Sequence, residues 1–318
     1  AAMTGVRKNG RSLENYSEAA RGCKKVVLLA VEQHGLALEF VSDEMKSDRV
    51  VVLSAIRKDG AAFSFASPSL RADDSFVREA VAISAKVLKL TSSEHQADKE
   101  LVMVAVANHG MALQAAAPEL RADKEVVLAA VQSHGYALQF AAPAIRGDLS
   151  IATAAVQKNG YALQYASDEL RGNAAIVTAA VTQGFQALTY ASAEMQRNRG
   201  VVLAAVKNNG RALQIVPQEL RGDQDIVLAA IVAPTAFVLK FADPSLLQNQ
   251  EFLDKAVEVN PEVLKYVPPP PRTTTTTQSH QEDNMSKGGA CRSGAGGPER
   301  GYSRGEYRSD PYRHRRRN

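Results

Sequence analysis

His34, His109 and His134 recur at one position of a repeating phrase, and imidazoles in register could bind a metal ion or relay protons. Stacked helical units step by about 10 Å, whereas ligands of one zinc ion must each lie within about 2.1 Å of it. Asn9, Asn159 and Asn209 fill the same slot, which favours a helix-ending role. Arg21, Arg71, Arg121, Arg146, Arg171 and Arg221 form a second register, where guanidinium groups could hold phosphates or an acidic partner. Glu119 and Asp123 flank Arg121, and Glu219 and Asp223 flank Arg221, so a solvated or interunit salt bridge accounts for them. Gln114, Gln139, Gln164 and Gln214 could read a ligand, yet polar ladders inside a stack usually satisfy backbone groups. No nucleophile, base and orienting group recur together. The sequence therefore predicts a protein that is not an enzyme, with no catalytic residue, cofactor, metal site or small-molecule substrate.

Tyr136, Tyr161, Tyr165 and Tyr190 point to recognition instead. Tyr136 and Tyr161 follow a recurrent glycine at a position that varies, holding Arg11, Leu36, Met111 and Arg211 in other copies. A position that varies while its neighbours repeat is expected to face outward. Arg11, Leu36, Met111, Tyr136, Tyr161 and Arg211 thus form the expected partner surface, an idle exposed row being the alternative.

A different chemistry marks the C-terminal end. Tyr302, Tyr307 and Tyr312 alternate with Arg304, Arg308, Arg313, Arg315, Arg316 and Arg317. Guanidinium groups attract phosphate and tyrosines stack on bases, so RNA is one reading of this segment. Glu299, Glu306 and Asp310 dilute it, and import or docking on an acidic protein is another. The chain carries 38 basic and 34 acidic residues; ten and five of these lie from Pro268 onward, giving the tail +5 and the rest −1. Poly-Pro, poly-Thr, Gly and charge replace Val, Ile and Leu there, which predicts a disordered low-complexity tail over 268–318.

Residues 1–267 must supply the framework. Val201 to Asp223, VVLAAVKNNGRALQIVPQELRGD, is repeated nearly intact from Val126 and from Ile151, and Gly10, Gly35, Gly60, Gly110, Gly135, Gly160 and Gly210 are spaced by multiples of 25. About eleven units follow, the last displaced by a one-residue insertion near Ala233 to Phe237. Asp123, Asp148, Asn173 and Asp223 are placed to cap a first helix, whose apolar stripe is Val201, Val202, Ala205 and Val206 in the copy that begins at Val201. Asn-Gly, His-Gly or Asp-Gly then predicts a left-handed helix end, followed by a short second helix and a Ser-Pro or Ser-Asp turn. Such short helices are marginal alone, so the expected fold is all-α: an α-solenoid of 25-residue helix-turn-helix units stabilised by stacking. Ala85, Gly184-Phe185 and Pro234 break the phrase and mark candidate bends or altered seams.

The phrase VLAAV…NGxALQYAS…ELRxD closely resembles a repeat family of protists, algae and some bacteria, domain of unknown function 4116, whose own unit spans two of these modules. The resemblance covers residues 1–267 and implies no activity or site residues. With no membrane-length apolar run, no signal-peptide pattern and only Cys23 and Cys291, the chain is expected to be intracellular and cytoplasmic. It opens inside a unit, so a missing start leaves nucleus or organelle open. The expected function is a protein-binding scaffold, with RNA binding through the tail as the alternative.

Overall fold

A computed structural model describes residues 2–232 and 234–267. Within them the chain is an all-α solenoid with the expected period, and no strand occurs among the described residues. A regular unit has three parts. A ten-residue α-helix, such as Leu149–Lys158, leads through one extended residue into a 3-10 helix, Gly160–Tyr165, and then a single α-helical turn, Asp168–Arg171.

Local chemistry explains each part. Asp148 Oδ1 accepts the N–H groups of Ser150 and Ile151 at 3.0 and 3.2 Å, capping the long helix as expected. Ile151, Ala152, Ala155 and Val156 form the buried stripe, repeated by Val201, Val202, Ala205 and Val206. The second helix takes the tighter 3-10 form, which brings the buried positions Gly160, Leu163 and Ala166, three residues apart, onto one edge, with Ala162 buried beside them. Ser167 caps the last turn through the Leu170 N–H at 3.4 Å. Burial of one valine or leucine contributes about 1.5–3 kcal/mol, so the continuous core formed by stacked units carries the fold.

The recurrent glycine has a different reason from the one expected. None of the described glycines takes a left-handed conformation. The residue before it is extended, as at Asn159 with φ −157° and ψ 113°, and its side chain caps the 3-10 helix by accepting the Tyr161 N–H at 3.0 Å. The glycine itself is needed for close approach. A Cβ added at Gly35 would lie 2.6 Å from the Ala55 carbonyl oxygen of the next unit, and one at Gly135 would lie 2.5 Å from Ala155 oxygen. The absent side chain lets the following helix dock by its last turn.

Neighbouring units are also tied through the backbone. Ser167 N–H donates to the Arg146 carbonyl at 3.1 Å, and Ala142 to Arg121 at 2.8 Å; the same bond joins Ser192 to Arg171. Two joints lack it among the described residues: Arg71 and Ser92 do not pair, and Pro217 has no N–H to give. The units at Ala85 and Gly184 keep the 25-residue register, the one at Pro234 is a residue longer, and all three alter their seams. Ala85 occupies the glycine slot, and Gly60 faces Ser84 and the Lys86 Cβ where its counterparts face an alanine carbonyl. Gly184 takes the extended cap position with φ −171°, which leaves Phe185 in the glycine slot. Near Pro234 the long helix shortens to Gln224–Ala230; Thr235 Oγ1 donates to the freed Ala230 carbonyl at 2.7 Å, and buried Asn260 donates to Ile231 at 2.7 Å. No helix among the described residues is long and apolar enough to cross a membrane.

Candidate functional site

The varying row follows the buried glycine, as the second residue of each 3-10 helix. Asn9, Asn159 and Asn209 hold the N–H groups of Arg11, Tyr161 and Arg211 at 3.0 to 3.1 Å, so the backbone is fixed and the side chain projects from the array. Arg11 and Arg211 are exposed; Leu36, Met111, Tyr136 and Tyr161 are half-buried. For the tyrosines, rings of the next unit supply the contact. Tyr136 meets Tyr165 edge-on with ring centroids 6.1 Å apart, and Tyr161 meets Tyr190 at 6.2 Å. The structure thus assembles the four tyrosines into one aromatic face rather than an isolated exposed row. Arg211 lies over Phe237, its guanidinium carbon 5.6 Å from the ring centroid, and Lys240 is 4.9 Å from the Phe241 ring.

Among the described residues, open grooves fall on this row at three places. One of about 550 Å³ lies between Arg211, Phe237 and Pro234; one of about 490 Å³ surrounds Met111; one of about 250 Å³ lies beside Arg11 and His34. Leu36, Tyr136 and Tyr161 line none of them.

The histidines depart from the spacing argument. His109 and His134 stack with centroids 4.3 Å apart, because both side chains lean into one seam. Gly110 N–H donates to His134 Nδ1 at 3.2 Å, and Ser133 Oγ lies 2.9 Å from the same nitrogen. Burial lowers the His134 pKa below the ordinary imidazole value, and the positive charges of His109 and Lys158 lower it further. The His134 ring therefore favours its neutral form. Among the described residues no group of three His, Cys, Asp or Glu side chains is placed to hold a metal ion.

Two members of the arginine register bond within their own unit, whereas the Nε atoms of Arg21, Arg121, Arg146 and Arg171 are buried with no hydrogen-bond partner among the described residues. Arg71 Nε donates to the Ala66 carbonyl at 3.1 Å and Arg221 Nε to Val216 at 2.7 Å; Gln96 and Gln196 replace the guanidinium and make the equivalent bond to Thr91 and Ala191. Interunit ion pairs exist, but other residues make them. Lys99 reaches Asp123 at 2.8 Å, Lys124 reaches Asp148 at 2.6 Å and Arg199 reaches Asp223 at 2.7 Å. Each cation begins a long helix and meets the cap of the next one. The Lys124 ammonium, the Ser150 hydroxyl and the Ile151 N–H hold the Asp148 carboxyl far below the usual carboxylate range. A sequence signal existed: a Lys or Arg one place after the cap, followed about one period later by Asp. Gln139 and Gln164 donate to the Tyr136 and Tyr161 carbonyls at 3.2 and 3.1 Å, the backbone-satisfying role expected of them.

Tyr302, Arg304, Tyr307, Arg308, Tyr312, Arg313, Arg315, Arg316 and Arg317 lie outside the described residues, as does the whole segment 268–318.

No curated protein and no solved structure matches the chain. A family model described as domain of unknown function (DUF4116) matches five times, at residues 23–71, 51–96, 98–146, 148–196 and 198–231. Each full-length match covers two 25-residue modules, the pairing that the resemblance implied, and together the matches span more than half of the chain. From this recurrence, in register with the helical units, the chain belongs to the DUF4116 family.

Proposed function

We propose that the repeat array is a non-enzymatic scaffold that binds protein partners along the face built from its 3-10 helices. The observation that carries this reading is the aromatic face from Tyr136 to Tyr190, whose half-buried rings are braced by contacts between units. Such rings offer large contact area at little further cost in side-chain freedom, which is why aromatic residues concentrate at interfaces. Recurrent polar groups support the same reading, because Asp148, Asn159, Gln164 and Arg221 are committed to caps and turns. The varying residues remain as the part of the surface able to distinguish partners. A reducing intracellular setting, with the cytoplasm first, fits the free and exposed Cys23.

Affinity purification of the full chain and of residues 1–267, each with and without RNase, tests the reading. The same proteins should be recovered with both chains. Loss of all partners on removal of 268–318 would overturn it.

The Tyr and Arg spacing of the tail supports RNA binding as a second reading. Its test is ultraviolet crosslinking, which should fall when Arg313 and Arg315 to Arg317 become alanine; unchanged crosslinking would remove that route.

A further inference from the structure

We propose that the groove around Met111 is a docking site for an acidic protein segment that inserts one aromatic side chain. This rests on the scaffold reading and names the chemistry of the partner.

The groove exists because two units lack a ring. The residue closing the 3-10 helix is Phe65, Phe140, Tyr165 or Tyr190 in nearby units, and each of these rings packs against the core. In the two units between Phe65 and Phe140 the rings give way to Leu90 and Ala115. Lys86 stands where Tyr136 and Tyr161 stand, and Ala115 where Tyr165 and Tyr190 meet them, so the tyrosine pair is absent from this seam. A half-open groove of about 490 Å³ is left, floored by Ala85, Leu90, Met111 and Ala115. Leu90 is 38% exposed, an apolar side chain left uncovered. The volume lies within the range of about 300–1,000 Å³ typical of binding clefts.

The seam itself is altered in the same place. Ala85 brings a Cβ to the glycine slot, Gly60 faces Ser84 and Lys86, and Arg71 and Ser92 form no interunit backbone bond among the described residues. Ser84, Ala85 and Lys86 line the groove, so the first two departures border it, and the third falls in the same unit.

Charge selects the occupant. Lys86 and Lys89 border the groove and no carboxylate lines it. Nearby Arg78 and Lys99 are paired with Asp98 and Asp123, whereas Lys86 and Lys89 form no ion pair among the described residues. Acidic residues flanking an inserted ring would meet these ammonium groups, and the ring would meet the His109 imidazole that also lines the groove. A protein segment suits the site better than a small molecule, because the groove is half-open and the contacting 3-10 helices extend from Gly110–Ala115 through Phe185–Tyr190.

The chain contains no tryptophan, so the indole of an added peptide reports alone. The full chain is titrated into the peptides Glu-Glu-Trp-Glu-Glu, Glu-Glu-Ala-Glu-Glu labelled with fluorescein, and Lys-Lys-Trp-Lys-Lys. Saturable blue-shifted emission is expected with the first alone, weakening in high salt. Ala115→Phe, which restores the ring that neighbouring units carry, should abolish binding, and the double variant Lys86→Glu/Lys89→Glu should weaken it by about tenfold or more. Thermal melts confirm that each variant folds; the lysines are exposed, so the double variant serves even if the first does not fold. Absence of saturable binding, undiminished binding by either folded variant, or equal binding of the lysine peptide would overturn the proposal. Partner recovery by residues 1–267 is measured separately, so its persistence beside failed peptide binding would overturn the groove and leave the scaffold reading standing.

Discussion

Gly135 is packed so closely on Ala155 that a Cβ added to it would sit 2.5 Å from the alanine carbonyl oxygen and 3.2 Å from the Asn159 nitrogen. Both obstacles are backbone, so neither can swing aside. The joint between two units depends on an absent atom.

Gly135→Ala should therefore destabilise the array by about 1–3 kcal/mol, the usual cost of overpacking. Gly147→Ala is the control, because its added Cβ finds nothing nearer than 3.5 Å and its backbone is right-handed helical. Thermal and urea unfolding should show a loss for the first and none, or a gain of about 0.5 kcal/mol, for the second. Equal behaviour of the two would refute the close-approach account.

Acid should loosen the stack at its caps. The Asp123, Asp148 and Asp223 carboxyls are held below the ordinary carboxylate pKa, first by Lys99, Lys124 and Arg199 and also by helix N–H groups. Because the folded values are depressed, their contribution is complete above the unfolded value of about 4 and is lost as pH falls through the folded values. The contribution of these carboxylates should be level from pH 6 to about pH 4 and then decline, which unfolding of a His134→Asn variant reads without the histidine. Asp148→Ala should cost about 1–2 kcal/mol at neutral pH, and a smaller loss at low pH than at neutral pH is the signature to look for.

The stacked histidines give a separate signal at milder pH. His134 has a folded pKa below its unfolded value of about 6.5, so its neutral form is favoured by folding. That contribution is complete above about 6.5 and diminishes as pH falls toward the folded value. His134→Asn places in this unit the residue found at Asn159 and Asn209, and it should flatten stability just below about pH 6.5 without loss at pH 8. Nuclear magnetic resonance titration of the His134 ring checks the direction directly; a value at or above the unfolded one would refute it.

Asn260 is 4% exposed and supplies the Ile231 carbonyl with its partner at 2.7 Å. Asn260→Ala leaves that carbonyl without its donor and should cost about 1–3 kcal/mol. Hydrogen exchange should speed up over Gln250–Val259 while Leu149–Lys158 keeps its protection. Uniform loss along the array would contradict a local role.

The period, the caps at Asp123 and Asp148 and the stripe Val201, Val202, Ala205 and Val206 were legible because they are contacts within a few residues of chain. Gly135 was legible as a fixed point but not in its cause, since its obstacle is Ala155, one unit away. The same distance hid the pairing of Lys124 with Asp148 and the stacking of His109 on His134. Reading a step as the separation between ring atoms overlooked that side chains from adjacent units lean toward one another. The varying row was legible as the position after the glycine, but not the 3-10 form of the helix that carries it, nor the closing of Tyr136 and Tyr161 on Tyr165 and Tyr190. The groove at Met111 left a trace in Ala115, where a ring drops out of the pattern; two neighbouring exceptions gain meaning only once stacked.

The interunit backbone bond is missing where Arg71 faces Ser92 and cannot form at Pro217. A stack whose cohesion passes from each unit to the next is as strong as its poorest joint. Pulled from its two ends, the array should thus come apart in blocks, yielding first at these two places and giving a stepped extension in place of a single rupture.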